Sequence, residues 1–270
     1  MCSAGSKLIT MNDANTIHAN VKTQFAKTAK AYVTSSIHAR GADLQKMVEL
    51  AGDVKGKRVL DVATGGGHTA LAFARAGAKV TASDLTPEML EAAAAHIESE
   101  GFELSYQVSS AEDLLFADAS FDIVTCRIAP HHFADPERFV KEVARVLTPG
   151  GHFLLIDNIT PEDESLAKVV NHIEKVRDPS HVKAYSVKTW LDWLVAAGLE
   201  PAYLERFRRH KNYRDWLSYA QAEAVQAELA AWVLALPQKA QEYLHVKKDG
   251  EELESLTHEV MLLKSDKLRV

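Results

Sequence analysis

Apolar positions recur along this chain in two rhythms. Over residues 15–34 they fall at helical spacing, with Ile17, Val21, Phe25 and Ala29 on one face. A second amphipathic helix carries Leu44, Met47, Val48 and Leu50 up to Ala51-Gly52-Asp53. Short β-branched runs then alternate with helical stretches. Residues 59–62 read as a first strand and 69–76 as its helix, stopped at Gly77; residues 79–83 form a second strand ending in Asp84. Thr86-Pro87-Glu88 opens a helix that runs to about Glu100, with Thr86 as N-cap, proline in the first turn and an acid at the positive end of the dipole. Residues 103–108, 121–126 and 152–157 are the third to fifth strands. A helix over 136–147, closed by Thr148-Pro149-Gly150-Gly151, precedes the fifth.

After Asp157 the rhythm changes. Residues 158–186 are polar and partly helical, too long for a bare connection. An amphipathic helix over 187–197 turns around Trp190, Trp193 and Leu194. Residues 201–213 have strand character, although Arg206, Arg208, Arg209 and His210 suit a central strand poorly. An alanine-rich helical insertion covers 215–243, with Trp216 placed to reach a pocket beneath it, and 257–264 is the last strand. The pattern predicts an α/β fold: a seven-stranded, doubly wound, mostly parallel sheet covered on both faces. Residues 1–52 supply N-terminal cap helices. The domain proper spans 53–270, with helical lid insertions at about 158–186 and 214–245.

Bulk properties narrow the class. A chain of 270 residues with 47% apolar and 25% charged residues buries a full core. A formal charge of −6 argues against a nucleic-acid partner. No apolar run has the length of a membrane span and the N-terminus shows no signal-peptide core, which predicts a cytoplasmic protein. Cys2 and Cys126 provide neither a disulfide framework nor metal-ligand spacing, so no metal is expected. Homodimer formation is left open.

The chemistry gathers at residues 58–74, where a strand breaks at Gly65-Gly66-Gly67 and a helix follows. Glycines there admit positive φ and a close ligand, and the helix start offers unpaired N–H groups. Gly65-x-Gly67-x-x-Ala70 fits a dinucleotide fingerprint with Asp84 as ribose acid. Asp61 opposes that reading, because its carboxylate would repel a pyrophosphate and attract an ammonium. S-adenosylmethionine carries such an ammonium, plus a ribose diol for Asp84. Beyond the fourth strand stand His131 and His132, where a histidine is placed to accept a proton from a hydroxyl or amine. Packing or helix capping is their plainer role. Arg127 and Arg177 are placed to neutralise a substrate carboxylate, with surface ion pairs as the alternative.

Taken together these residues resemble the class I S-adenosylmethionine-dependent methyltransferases. Residues 59–67 are similar to that family's motif I, Asp84 to its ribose-binding acid, and Ser110-Ala111-Glu112-Asp113-Leu114 to its adenine-side motif. The run 121–157, with Asp135-Pro136, Arg145-Val146-Leu147 and Pro149-Gly150-Gly151, follows the family almost throughout. The branch is that of the ubiquinone and menaquinone biosynthesis methyltransferases. Within it, residues 126–133 and 177–182 resemble the bacterial YcgJ-type proteins. The resemblance implies a Rossmann-like methyltransferase fold and methyl transfer by in-line displacement to a small-molecule acceptor. It implies cofactor contacts from Tyr32, Asp61, Ala63, Thr64, Gly65, Gly67, Asp84, Leu85, Met89, Ser110, Ala111, Glu112 and Arg127, and catalytic roles for His131, His132 and Arg127. Leu85 and Phe116 would wall the adenine, and Tyr32, Ser36 and His38 would close over the cofactor.

The chain departs from the family at several points. Ala63 replaces the first glycine, Ser110 the usual adenine acid and Leu115 a proline. His131-His132 stands where the quinone enzymes carry a tyrosine–arginine–asparagine signature, which speaks against a quinone acceptor. Three alternatives stay open: an NAD-dependent oxidoreductase, a class I fold using S-adenosylmethionine for another reaction, and a cofactor-binding protein without turnover. Cys2 and Cys126 speak against an arsenic methyltransferase, whose cysteine set they cannot supply.

Overall fold

A computed structural model describes residues 11–34, 41–218 and 222–269, with side chains over 13–26, 41–217 and 222–269. Helices α1 (Met11–Thr34) and α2 (Ala42–Ala51) precede the alternating part of the chain. That part runs β1 (Arg58–Val62), α3 (His68–Arg75), β2 (Lys79–Asp84), α4 (Pro87–Ser99), β3 (Ser105–Val108), β4 (Phe121–Arg127), a 3-10 turn (Pro130–His132), α5 (Pro136–Val146) and β5 (Leu147–Thr160). Next come α6 (Glu164–Arg177), β6 (Tyr185–Ser186), α7 (Val187–Ala196) and β7 (Leu199–Asn212). Helices α8 (Tyr213–Ser218), α9 (Glu223–Leu234) and α10 (Gln238–Tyr243) lead to the hairpin of β8 (Lys247–Asp249) and β9 (Glu252–Lys267).

The main sheet order is β3-β2-β1-β4-β5-β9-β7, with β6 added to β5 and β8 to β9. The first five strands of that path run parallel, whereas β9 is antiparallel to both β5 and β7. This is a doubly wound, mostly parallel fold. Its order reverses between β1 and β4, so a crevice opens at the carboxyl ends of those strands, where open α/β sheets take ligands.

Burial explains the strand sequences. Phe153, Leu154, Leu155 and Ile156 are all fully buried, as a continuous apolar run must be when helices cover both faces. Leu60, Val124, Phe139, Val143, Leu155 and Trp190 pack one face. Met47, Val59, Phe73, Ile97, Ile123 and Ile156 pack the other, so α2 belongs to the core. A third cluster joins α6, α8, α9 and α10 to β9 through Leu166, Ile173, Leu217, Val233, Ala240 and Leu256.

Two local expectations differ from the fold and one, the arginine-rich strand, is met at the sheet edge. Thr148-Pro149-Gly150-Gly151 does not close a helix; it opens β5, whose Leu147 pairs Phe121 across a register shift. The arginine-rich segment is a full strand because β7 lies at the sheet edge, where Arg206 and Arg208 reach Glu259 of β9. Thr86 is the N-cap of α4 by position but makes no side-chain capping bond; Asp84 Oδ1 accepts from the Thr86 N–H instead, at 2.9 Å. Among the described residues no helix is long and apolar enough to cross a membrane.

Candidate functional site

Strands β1 and β2 end side by side, Val62 beside Ser83, and each delivers a carboxylate to the crevice. Asp61 is buried. Its Oδ1 accepts from Thr125 Oγ1 (2.6 Å) and its Oδ2 from Thr64 Oγ1 (2.7 Å). Asp84 Oδ2 accepts from the Gly65 N–H at 3.1 Å, so it holds the glycine turn as well as the start of α4. Burial pushes both carboxyls up to about 6, against the hydrogen bonds that favour their ionised forms. Each keeps lone pairs for further donors.

The turn itself is left-handed at Ala63, Gly65 and Gly67. Only two of these face the cleft. A Cβ on Gly65 would meet Met89 Cε at 3.5 Å and otherwise project into open space. A Cβ on Gly67 would lie 2.9 Å from Ile97 Cδ1 and 3.1 Å from Ala93 Cβ. Gly67 therefore serves close packing of the turn on α4 and does not line the cleft.

The cleft encloses about 980 Å³ of empty space including its open mouth. Of the residues singled out in the sequence, Asp61, Ala63, Thr64, Gly65, Asp84, Leu85, Met89, Ala111, Glu112, Arg127 and His132 line it together. Gly67, Ser110 and His131 do not. Phe116 packs edge-on against Phe121, 5.0 Å between ring centres, behind the wall. The side chain of Tyr32 and all of Ser36 and His38 lie outside the described residues.

Ser110 acts one step back. Its hydroxyl donates to Glu112, whose Oε1 also accepts from the Ala134 N–H (2.8 Å) and Asp135 N–H (3.2 Å). His18 Nε2 of α1 lies 3.4 Å from Glu112 Oε2. Burial works to raise the Glu112 carboxyl, but His18 and the Ser110 hydroxyl outweigh it and hold it at about 2. Sequence reading singled out neither His18 nor Ser109, which both line the cleft. The spacing of His18, Val21 and Phe25 on one face of α1 was the available signal.

Arg127 borders the far end of the cleft and is tied down. Its Nε donates to Asp43 Oδ2 (2.9 Å), and Arg209 Nη2 of β7 donates to the same oxygen (2.7 Å). The pair is buried, not on the surface, and it locks α2 to β4 and β7. Arg177 pairs with Glu174 (3.1 Å), with its guanidinium 5.0 Å from the Trp216 ring. It does not line the cleft. Trp216 packs against the third cluster, beneath the inserted helices.

The two histidines separate by environment. His131 is buried behind the cleft, Nδ1 2.6 Å from Asp157 Oδ1 at the end of β5. Burial opposes its charge, but the Asp157 carboxylate outweighs that and raises its pKa. His132 lines the cleft, its ring 4.2 Å from that of His131 and edge-on to Phe25 at 5.1 Å. Burial first, and the charge of His131 second, lower His132 to about 3 and keep it neutral. Its Nδ1 lies 3.2 Å from Ser180 Oγ and its Nε2 4.0 Å from Asp178 Oδ2. The site thus offers two buried carboxylates over a glycine turn and a neutral imidazole at the far end.

Known proteins share this arrangement of chain. A methyltransferase-domain family matches residues 60–155. The uncharacterized methyltransferase YcgJ of Bacillus subtilis (strain 168) is 41% identical over 197 residues, 73% of this chain and 78% of that protein. A ubiquinone biosynthesis O-methyltransferase of Xanthomonas axonopodis pv. citri is 40% identical over 151 residues, 54% of this chain and 63% of that one. The crystal structure of Bacillus subtilis YcgJ superposes with a TM-score of 0.81 at 33% identity, covering 84% of this chain and 99% of that one.

Proposed function

Because the chain belongs to the class I S-adenosylmethionine-dependent methyltransferases, we propose that it binds S-adenosylmethionine over Gly65 and methylates a small-molecule acceptor placed against His132. The residues present fit that group. Asp61 and Asp84 are buried carboxylates, raised by burial, that a ligand's ammonium and hydroxyl donors would satisfy. Gly65 leaves the backbone open to close approach. Asp61 would take the ammonium and Asp84 the ribose hydroxyls, with Leu85 and Met89 against the adenine and Ala111 and Glu112 at its edge. Arg127 would border the methionyl end, and Tyr32 extends the same helix that brings Phe25 to the cleft. Gly67, Ser110 and His131 would act through Gly65, Glu112 and His132, respectively.

When bound, S-adenosylmethionine supplies a methyl group activated on a sulfonium sulfur, whose bonding pair returns to that sulfur. The chain's own residues therefore have little covalent work. They hold the acceptor in line, and α1 with Val21 and Phe25 restricts water. His132 is the neutral imidazole beside the acceptor; lowered to about 3, it accepts a hydrogen bond from the acceptor's hydroxyl or amine and orients it, and is a weak base for full proton removal. The helices of the third cluster, expected from the sequence as a lid, contribute no described residue to the lining of this cleft. On this reading the chain acts on a small molecule in the cytoplasm, with no nucleic-acid partner.

The two carboxylates on neighbouring strand ends carry the proposal. Calorimetric titration with S-adenosylmethionine, S-adenosylhomocysteine and NADH tests it. Micromolar binding of the first two without the third supports it; binding of NADH alone would replace it with the dehydrogenase reading of the same glycine turn. A screen of phenols, carboxylates and amines for S-adenosylhomocysteine release then identifies the acceptor.

A further inference from the structure

The segment after α6 is held far more tightly than a loop between a helix and a two-residue strand requires. Lys175 Nζ donates to the carbonyls of Pro179 (2.8 Å) and His181 (2.6 Å). Asn171 accepts from His181 Nε2 (2.8 Å) and the Ala184 N–H (2.7 Å), and donates to the Ala184 carbonyl. The N–H groups of Val182 and Lys183 both reach the carbonyl of His131, at 2.8 and 3.1 Å. These bonds place Asp178 and Ser180, both buried, against one edge of His132.

We propose that Asp178 and Ser180 are positioning residues for His132, fixing its tautomer so that Nε2 is the nitrogen offered to the acceptor. The argument is one of donors and acceptors. Asp178 Oδ1 takes the Ser180 N–H (2.9 Å) and the Ser180 hydroxyl (2.5 Å). With its proton committed to that carboxylate, Ser180 Oγ presents only lone pairs to His132 Nδ1, 3.2 Å away. Nδ1 must therefore carry the ring hydrogen, which leaves the lone pair on Nε2. Asp178 Oδ2 is 4.0 Å from Nε2, too far to hydrogen-bond it and near enough to favour a proton arriving there. His131 occupies the other side of the ring, engaged with Asp157, and among the described residues His181 and Arg177 are further charged or titratable groups about this edge.

The assignment rests on the proposed function only for what His132 is offered to; the tautomer is measurable without any acceptor. Full-length protein labelled with 15N-histidine, its His132 signal assigned by loss in His132→Gln, reports through ring nitrogen–proton correlations which nitrogen bears the hydrogen. Wild type is expected to carry it on Nδ1. Ser180→Ala removes the acceptor of that hydrogen, and Asp178→Ala removes the acceptor of the Ser180 hydroxyl and frees it to donate to Nδ1. Both should move the ring toward the Nε2–H form, with S-adenosylhomocysteine affinity as the check on folding. Ser180→Thr keeps the hydroxyl and should retain the wild-type form; with Asp178→Ala it carries the test where Ser180→Ala does not fold. An Nε2–H ring in wild type, or an unchanged Nδ1–H ring in both Asp178→Ala and Ser180→Ala, overturns the assignment. Failure of wild type to bind S-adenosylmethionine while its tautomer is as stated would instead overturn the proposed function.

Discussion

At the scale of single residues, the cleft holds two buried carboxyls that the proposed ligand would complete. Asp61 and Asp84 have carboxyls raised from 3.8 to about 6 in the fold. That contribution to stability is full below about 3.8 and lost as pH rises through about 6, because the fold prefers them protonated. A cationic or donor-rich ligand prefers the ionised form, so its affinity runs the opposite way. S-adenosylhomocysteine, which shares the ammonium and ribose, should bind about tenfold or more tightly at pH 7 than at pH 5 and level off above. A flat calorimetric series from pH 5 to 8 would exclude this, and Asp61→Asn should flatten the slope. Asp84→Ala should weaken binding by about 1–3 kcal/mol if its charge-assisted bonds to the ribose are made. Unchanged affinity in a folded Asp84→Ala protein removes that role.

Among elements, the glycine turn presents Gly65 to the cleft and Gly67 to the packing of α4. Gly67 has φ 80 and sits under α4, so Gly67→Ala combines left-handed strain of about 1–2 kcal/mol with a clash at Ile97. Its urea midpoint should fall accordingly, with ligand affinity of the folded fraction nearly kept. Gly65→Ala has space at Met89 but projects into the cleft, so it should lose ligand binding out of proportion to stability. Equal effects of the two substitutions on both readouts would deny the division. The motif was legible in sequence as one unit; that its glycines face different neighbours was not, since α4 joins the turn only in the folded sheet.

At the scale of the molecule, the C-terminal helices are bound to the sheet by a buried polar knot. Glu174 of α6 lies 2.5 Å from His258 of β9 and also pairs with Arg177. Burial works to raise Glu174, but Arg177 and His258 outweigh it and hold it well below 4.5. The sign is that of a depressed carboxyl: its stabilisation is present above about 4.5 and lost in acid. Glu174→Ala should cost about 1–3 kcal/mol at neutral pH, seen as a lower thermal and denaturant midpoint, because the buried His258 ring loses the carboxylate beside its Nδ1 and Arg177 loses the same carboxylate. A change under about 1 kcal/mol would mean that the third apolar cluster alone holds these helices. Since α6 leads directly into Asp178, this knot also supports the edge of His132.

What the sequence determined by itself was local or periodic. Alternating strand and helix runs define a parallel sheet, and the glycine turn with Asp61 and Asp84 falls at strand ends because the spacing of two and 3.6 leaves no other place. Even the departures carried information, such as His131-His132 after β4. Tertiary structure decided everything that depends on partners distant along the chain. It set Arg127 on Asp43 beside Arg209, put the arginine-rich β7 at the sheet edge, and shifted two adjacent histidines in opposite directions. No periodicity specifies those outcomes. Asp157 lies 26 residues from His131 and Ser180 lies 48 from His132, and burial with a charged or polar neighbour at close range is what separates two identical side chains.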